Sequence, residues 1–184
     1  MKKKAKKAAP KKTARKAAPK ASKTPKKVQA IPAGYRTVTP LLVVRDGGAA
    51  IDFYKKALGA KELLRMPMPG GGIGHAELQI GDSRVMLADE TPAMGSSAPQ
   101  TVGGSPVHIF LYITNVDQAY TRATGAGATG TMPPQDMFWG DRYAKVTDPF
   151  GHNWSFATHI EDVTPKEMNR RAEEWAKSMA GNTP

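Results

Sequence analysis

The chain has 184 residues and carries 27 Lys and Arg against 16 Asp and Glu, a net charge of +11. It contains no cysteine, which excludes disulfides, thiolate nucleophiles and cysteine-ligated zinc or iron–sulfur centres. No run of about 18 apolar residues is present to span a membrane. No apolar stretch follows the basic N-terminus as it would in a secretory signal, so the expected location is the cytoplasm.

The charge is segregated. Residues 1–30 hold 13 of the 27 basic side chains and none of the 16 acidic ones, which leaves 14 basic and 16 acidic groups, a net of −2, on residues 31–184. The segment is rich in Lys, Ala and Pro, and KKAAPKKTA returns nine residues later as RKAAPKASK. Beyond Met1 its largest apolar side chain is Val28, so burial cannot offset the entropy of ordering it, and residues 1–34 are expected to be a disordered tail. Two readings stand for it. One is a solvated tail that aids solubility. The other is non-specific binding of DNA or another polyanion through Lys2, Lys3, Lys4, Lys6, Lys7, Lys11, Lys12, Arg15, Lys16, Lys20, Lys23, Lys26 and Lys27, each phosphate contact releasing a counterion. The second reading would add association with the nucleoid. In composition the segment resembles the C-terminal tails of linker histones. It has no aromatic residue to stack on a base, so sequence readout is not expected.

From Tyr35 the texture changes. Thr37–Val44 is an apolar, β-branched run that predicts a buried strand ending in the turn Arg45-Asp46-Gly47-Gly48. Ala49, Ile51, Phe53, Tyr54 and Leu58 fall near helical spacing, and Gly59 stands where a helix C-cap belongs. Strands are expected over Lys61–Met66, Gly74–Ile80 and Arg84–Leu87, the last two joined by the hairpin signal Gly81-Asp82-Ser83. The first module, residues 35–90, thus reads β-α-β-β-β. Residues 91–106 are small, polar and rich in Pro and Gly, as in a linker or mobile loop.

The order then repeats over residues 107–160. A strand at Val107–Ile113 precedes a helix opening at Val116 and closing at Gly125-Ala126-Gly127. Strands follow at Ala128–Met132, Arg142–Val146 and Asn153–Thr158, the last pair around the turn Asp148-Pro149-Phe150-Gly151. Beyond the second module, Thr164-Pro165-Lys166-Glu167 offers an N-cap, a proline at the first helical position and a capping-box glutamate. Met168, Ala172, Trp175 and Met179 then form a stripe suited to packing on the body or on a partner subunit. The fold class expected is α+β, with two βαβββ modules forming an incomplete mixed barrel around a pocket, plus a C-terminal helix over 164–184.

Two such modules in one chain resemble the vicinal oxygen chelate superfamily, which includes glyoxalase I, the bleomycin- and fosfomycin-resistance proteins and the extradiol dioxygenases. The resemblance covers residues 37–163 and is carried by VVRDGGAAIDFYKKALGA and DRYAKVTDPFGHNWSFATHIEDVTPKEM. The second string, with GHAELQIGDSRVMLADE, is similar to the PhnB-like branch. The resemblance implies half-barrels enclosing a pocket, a homodimer, and in many members a divalent metal that polarises two neighbouring substrate oxygens. Carried over position by position, it places the four metal ligands at Thr39, in the strand of Val85, Met86 and Leu87, at His108 and at Ser155. Only His108 is a ligand of the expected kind, whereas such ions want three or more protein N/O donors, so no metal or other cofactor is expected.

Other side chains remain candidates. His75 and Glu77 alternate within one strand and share a face, where they would line the pocket or meet solvent. Glu77 and His108 are the candidates for any proton transfer. The segment Phe138-Trp139-Gly140-Asp141-Arg142-Tyr143 combines aromatics with charge, and Trp139 and Arg142 suit a rim that recognises a flat or anionic ligand. Equally, Asp141 and Arg142 would pin the loop while Trp139 plugs the barrel mouth. With Thr39 and Ser155 these complete the expected pocket set. There is no dinucleotide fingerprint, P-loop or nucleophile elbow. The leading expectation is a small-molecule-binding pocket without the usual metal centre. The alternatives are a metal-dependent lyase or dioxygenase relative with displaced ligands such as His75 and Glu77, and a domain tethered to a polyanion by its tail.

Overall fold

Strand and helix formation in the first module follows the alternation of its apolar residues. In a computed structural model, which describes Met1 and residues 28–180, β1 spans Leu41–Val44 and turns Leu42 and Val44 into the core. The basic side chains of the tail from Lys2 to Lys27 lie outside the described residues. The chain divides into Met1–Ala30 and Ile31–Pro184, and the second unit is the body described below.

Helix α1, Gly47–Leu58, starts where Asp46 accepts a hydrogen bond from the Ala49 amide at 2.9 Å. Its face of Ala50, Ile51, Phe53, Tyr54 and Ala57 is buried. It stops at Gly59, whose φ of 66° is the left-handed C-cap conformation that glycine adopts without a Cβ penalty. Strands β2 (Lys61–Pro67), β3 (Ile73–Ile80) and β4 (Ser83–Asp89) follow, and the sheet order is β1-β4-β3-β2, with β1 and β4 parallel and the other pairs antiparallel. The second module repeats this plan with β5 (His108–Tyr112), α3 (Val116–Gly125), β6 (Thr129–Asp136), β7 (Asp141–Thr147) and β8 (Asn153–His159), ordered β5-β8-β7-β6. Asn115 caps α3 through the Gln118 amide at 2.9 Å. The two βαβββ modules, two unclosed mixed sheets and C-terminal helix are those the sequence predicts.

Several bounds differ from the sequence reading. Thr37–Pro40 lie outside β1, and the Thr39 hydroxyl bonds back to the Arg36 carbonyl at 3.1 Å. β6 runs past Met132 through Pro133 and Pro134, because register shifts on either side of Met132 carry the prolines without a ladder donor. The segment 91–106 holds a 3-10 turn and a short helix, α2 (Pro99–Val102). It is pinned to both modules. Glu90 accepts from the Ala98 amide at 3.0 Å and the Thr101 hydroxyl at 2.6 Å, while Gln100 donates to the Pro149 carbonyl at 2.8 Å.

The modules share one core. Helices α1 and α3 pack on each other as well as on their own sheets, and the Arg122 guanidinium donates to the Ala57 carbonyl at 2.7 Å. The deepest polar junction is Asp148, which is only 4% exposed. It accepts hydrogen bonds from Tyr54 Oη at 2.7 Å, Trp154 Nε1 at 2.9 Å and the amides of Phe150 and His152, both at 2.9 Å. Burial, then the Asp148 carboxylate beside it, pushes the Tyr54 phenol well above its ordinary value of 10, so it stays a donor. His152, packed next to this junction, bonds through Nε2 to the Val43 carbonyl on β1 at 3.1 Å.

Helix α4, Pro165–Ala180, begins at Thr164, whose hydroxyl accepts from the Glu167 amide at 3.3 Å. The Glu167 carboxylate, expected to complete a capping box, instead takes Arg170 at 2.6 Å and Arg171 at 2.8 Å. These two guanidinium groups hold its carboxyl down to about 2. Among the described residues, no helix is long and apolar enough to cross a membrane.

Candidate functional site

With the helices covering one face of each sheet, strand alternation fixes what the opposite faces present. On the first sheet, register aligns Leu41, Met86, Glu77 and Leu64 across the four strands, with His75 and Arg84 on the same face. His75 Nε2 lies 3.6 Å from Glu77 Oε1, and Arg84 Nη1 lies 3.1 Å from Glu77 Oε2. The Arg84 guanidinium is also stacked 4.5 Å over the Tyr35 ring. Glu77 is therefore engaged by a permanent cation as well as by its histidine neighbour.

The second sheet presents a different surface. Its register aligns Phe110, Ser155, Lys145 and Met132, and next to them Tyr112, Ala157, Tyr143 and Gln135. The aromatic rings form a chain in mutual contact. Phe110 meets Tyr112 at 5.1 Å between centroids and stacks on Tyr143 at 5.7 Å; Tyr143 meets Trp139 edge-on at 5.7 Å. Trp139 meets Phe138 at 5.1 Å, and Phe138 meets Trp175 of α4 at 5.6 Å. Phe110 is 45% exposed and Tyr112 67% exposed, so part of this surface faces outward.

Asp141 orients the chain of rings. Its carboxylate is 3% exposed and accepts from Tyr112 Oη and Trp139 Nε1, both at 3.1 Å, and from His159 Nδ1 at 2.8 Å. His159 Nε2 reaches Asp162 at 3.0 Å, so both ring nitrogens face carboxylates. The hydrogen bonds to Asp141 and then Asp162 raise the His159 imidazole above its ordinary value of 6.5. Its own hydrogen bond to the other Asp141 oxygen raises the Tyr112 phenol above its ordinary value. Gly140, between Trp139 and Asp141, accepts from the amides of Ile160 at 2.9 Å and Glu161 at 3.0 Å. Its φ is 95°, and a Cβ there would collide with the Glu161 carbonyl oxygen, so glycine is what lets the turn dock on the end of β8.

The seven expected pocket residues thus fall into separate places. Thr39 precedes β1, and His75 and Glu77 stand together on the first sheet. His108 opens β5, opposite Asn153. Ser155 lies buried beneath the rings, its Oγ 2.8 Å from Tyr143 Oη. Trp139 belongs to the aromatic chain. Arg142 lies on the helix-facing side of β7, bound to Asp117 at 2.7 Å and Asp136 at 2.8 Å. Phe110 and Tyr112 join Tyr143 and Trp139 only through strand pairing, outside the Phe138–Tyr143 segment. The alternation of His108, Phe110 and Tyr112 in β5, and of Asp141, Tyr143 and Lys145 in β7, was the signal that placed them on one face.

The donors available at the metal positions of the resemblance are poor. Val85 and Leu87 point into the core, Met86 is a thioether, and the Ser155 hydroxyl is committed to Tyr143. Among the described residues, no three His, Asp or Glu side chains converge as a metal-binding group. This donor set does not fit a divalent ion that wants at least about three nitrogen or oxygen ligands from the protein.

Comparison with known proteins agrees with the fold. An uncharacterized protein, Rv0887c, of Mycobacterium tuberculosis is 46% identical over 134 residues, which cover 71% of this chain and 79% of that protein. The crystal structure of TioX from Micromonospora sp. ML1 matches with a TM-score of 0.52 and 31% identity, over 67% of this chain and 99% of that one. The structure of the At5g48480 product of Arabidopsis thaliana matches with a TM-score of 0.53 and 27% identity, over 67% and 98%. The model of the glyoxalase/bleomycin resistance protein/dioxygenase superfamily matches residues 36–156, which are nearly the whole of both modules, and the chain belongs to that superfamily.

Proposed function

We propose that this chain binds a small planar molecule on the aromatic face of its second module and does so without the divalent-metal centre found in many members of the superfamily. The observation that carries the reading is the contact chain Phe110–Tyr143–Trp139, whose Trp139 end is held by a hydrogen bond to the buried Asp141 and whose Tyr143 is held by Ser155. A flat ligand gains offset or edge-on contact with such rings, about 0.5–1.5 kcal/mol per ring pair beyond the area buried. Asp141 fixes the tilt of Trp139 and Tyr112, so less side-chain freedom is lost when the ligand arrives. The hydroxyls and apolar groups at three of the four metal positions, with His108 alone at the fourth, support the second half of the proposal. Calorimetric titration of the full chain with Ni²⁺, Zn²⁺ and Mn²⁺ tests it. No stoichiometric submicromolar binding is expected, and such binding abolished by His108→Ala would refute the metal-free reading.

A second reading concerns the tail and rests on its charge, 13 basic groups with no acidic one in residues 1–30. We infer that it tethers the body to DNA or another polyanion through counterion release. Deleting residues 2–30 should abolish duplex binding and its steep salt dependence; a truncated chain that binds as well as the full one would refute this. Within the superfamily, GHAELQIGDSRVMLADE and DRYAKVTDPFGHNWSFATHIEDVTPKEM support placement in the PhnB-like branch. Trp175 and Met179 of α4, 46% and 56% exposed, support a homodimer, which sedimentation at equilibrium checks.

A further inference from the structure

Arg84 carries an unexplained feature. Its Nε is buried and, among the described residues, has no hydrogen-bond partner. Such groups are uncommon in folded proteins and call for a physical reason. The Glu77 carboxylate takes only Nη1, and the Nε–Nη2 edge, the one with which a guanidinium grips a carboxylate side-on, lies against Gly34. A Cβ at Gly34 would sit 2.8 Å from both Nε and Nη2. The backbone of the segment leading to β1 therefore lies over this edge, and the Tyr35 ring covers the face of the guanidinium.

Beside it lies a cavity of about 220 Å³, walled by Arg36, Thr39 and Arg84 on its polar side and by Val38, Ile109 and Leu111 on its apolar side. Among the described residues, Arg36 forms no ion pair, so the two arginines and Glu77 leave a local charge of +1. Asp82, the next acidic residue along the hairpin, does not itself line this cavity, and its carboxylate accepts from the hydroxyl of Ser83, which does, at 2.8 Å. A charge of +1, one unoccupied guanidinium edge and an apolar wall fit a monoanion with a short hydrocarbon part better than a dianion.

We propose that this cavity binds a small organic carboxylate, its oxygens held by Arg36 and by the Nε–Nη2 edge of Arg84 once Gly34 shifts off it, and its hydrocarbon part laid against Ile109 and Leu111. Phe110 borders this cavity as well as belonging to the aromatic face, but the two proposals rest on different binding groups and neither needs the other. The test is a ¹H–¹⁵N NMR titration of the full chain with butyrate, following the Arg84 Nε–H resonance. Saturable binding with a Kd of about 1 mM or tighter is expected, with that resonance moving, as befits a ligand of this size. Butyramide, the uncharged isostere, should leave the spectrum unchanged. Arg36→Gln, at an exposed position, and Arg84→Lys, which keeps charge but loses the fork, should each weaken binding at least about tenfold. Butyrate binding undiminished in Arg36→Gln would place it outside this cavity and overturn the proposal. Equal binding of butyramide, tighter binding of inorganic phosphate, or no movement of the Arg84 resonance would overturn it as well.

Discussion

Replacing Asp148 should destabilise the body more than any other polar substitution described above. Four donors converge on this carboxylate: Tyr54 Oη, Trp154 Nε1 and the amides of Phe150 and His152. Tyr54 and Trp154 are fully buried, and Tyr54 belongs to the first module while the others belong to the second. A hydrogen bond to a charged group contributes about 1.5–3 kcal/mol, and a buried donor left without a partner costs about 1–3 kcal/mol. Because the four bonds share one acceptor they are not additive, and about 4–6 kcal/mol is expected for Asp148→Ala. That is comparable with the entire stability of many domains, about 5–15 kcal/mol. Asp148→Asn is the sharper probe. Its amide presents an NH₂ where a carboxylate oxygen was; the Tyr54 hydroxyl can turn to accept from it, but an indole N–H or a backbone amide cannot, so about 1–3 kcal/mol is expected. Tyr54→Phe should cost about 1.5 kcal/mol, and the double variant should show a coupling of about 1 kcal/mol or more. Urea denaturation of the full-length variants, followed by tryptophan fluorescence, measures all three. A cost below about 0.5 kcal/mol for Asp148→Asn, or a coupling near zero, would refute the claim that Asp148 ties the two modules together.

Three further outcomes follow from the aromatic face. The raised imidazole of His159 means that its ion pair with Asp141 contributes fully below its ordinary value of 6.5 and is lost as pH rises through the raised value. Titration of the His159 ring by NMR, together with a Trp fluorescence change near the same pH that His159→Gln abolishes, checks this. Gly140→Ala should cost about 1–3 kcal/mol in urea denaturation, because the added Cβ meets the Glu161 carbonyl at a positive φ. Ser155→Ala should cost about 1 kcal/mol by the same measurement, since it removes the hydroxyl partner of Tyr143 from a buried position.

The fold was legible where local chemistry and hydrophobic period agreed. Gly59 ends α1, Gly81-Asp82-Ser83 connects β3 to β4, and Thr164 starts α4, each as the residues predict. The extent of β6 was not legible. Pro133 and Pro134 read as loop residues, and only the register shifts around Met132, set by the partner strand, accommodate them. Thr37–Thr39 read as strand because they are β-branched, yet the β1 pairing with β4 begins at Leu41. The candidate site was legible in part. The residue types in Phe138–Tyr143 flagged an aromatic, charged turn, but adjacency in sequence joined Arg142 to Trp139. Strand alternation separates them, sending Arg142 to Asp117 on α3. The roles of Asp141 and Asp148 depend on donors as much as 94 residues away, as with Tyr54, and no local pattern reports such convergence.

The central claim, planar-ligand binding on the second module without a metal, is tested most directly by one fluorescence titration. The full chain, treated with a chelator, is titrated with phenazine, a flat uncharged aromatic, while tryptophan emission is recorded. Saturable quenching that is unchanged when Ni²⁺, Zn²⁺ or Mn²⁺ is restored, and that is weakened at least about tenfold by Tyr143→Ala, is the predicted result. Quenching that appears only when a divalent metal is added back, or that Tyr143→Ala leaves untouched, would contradict it.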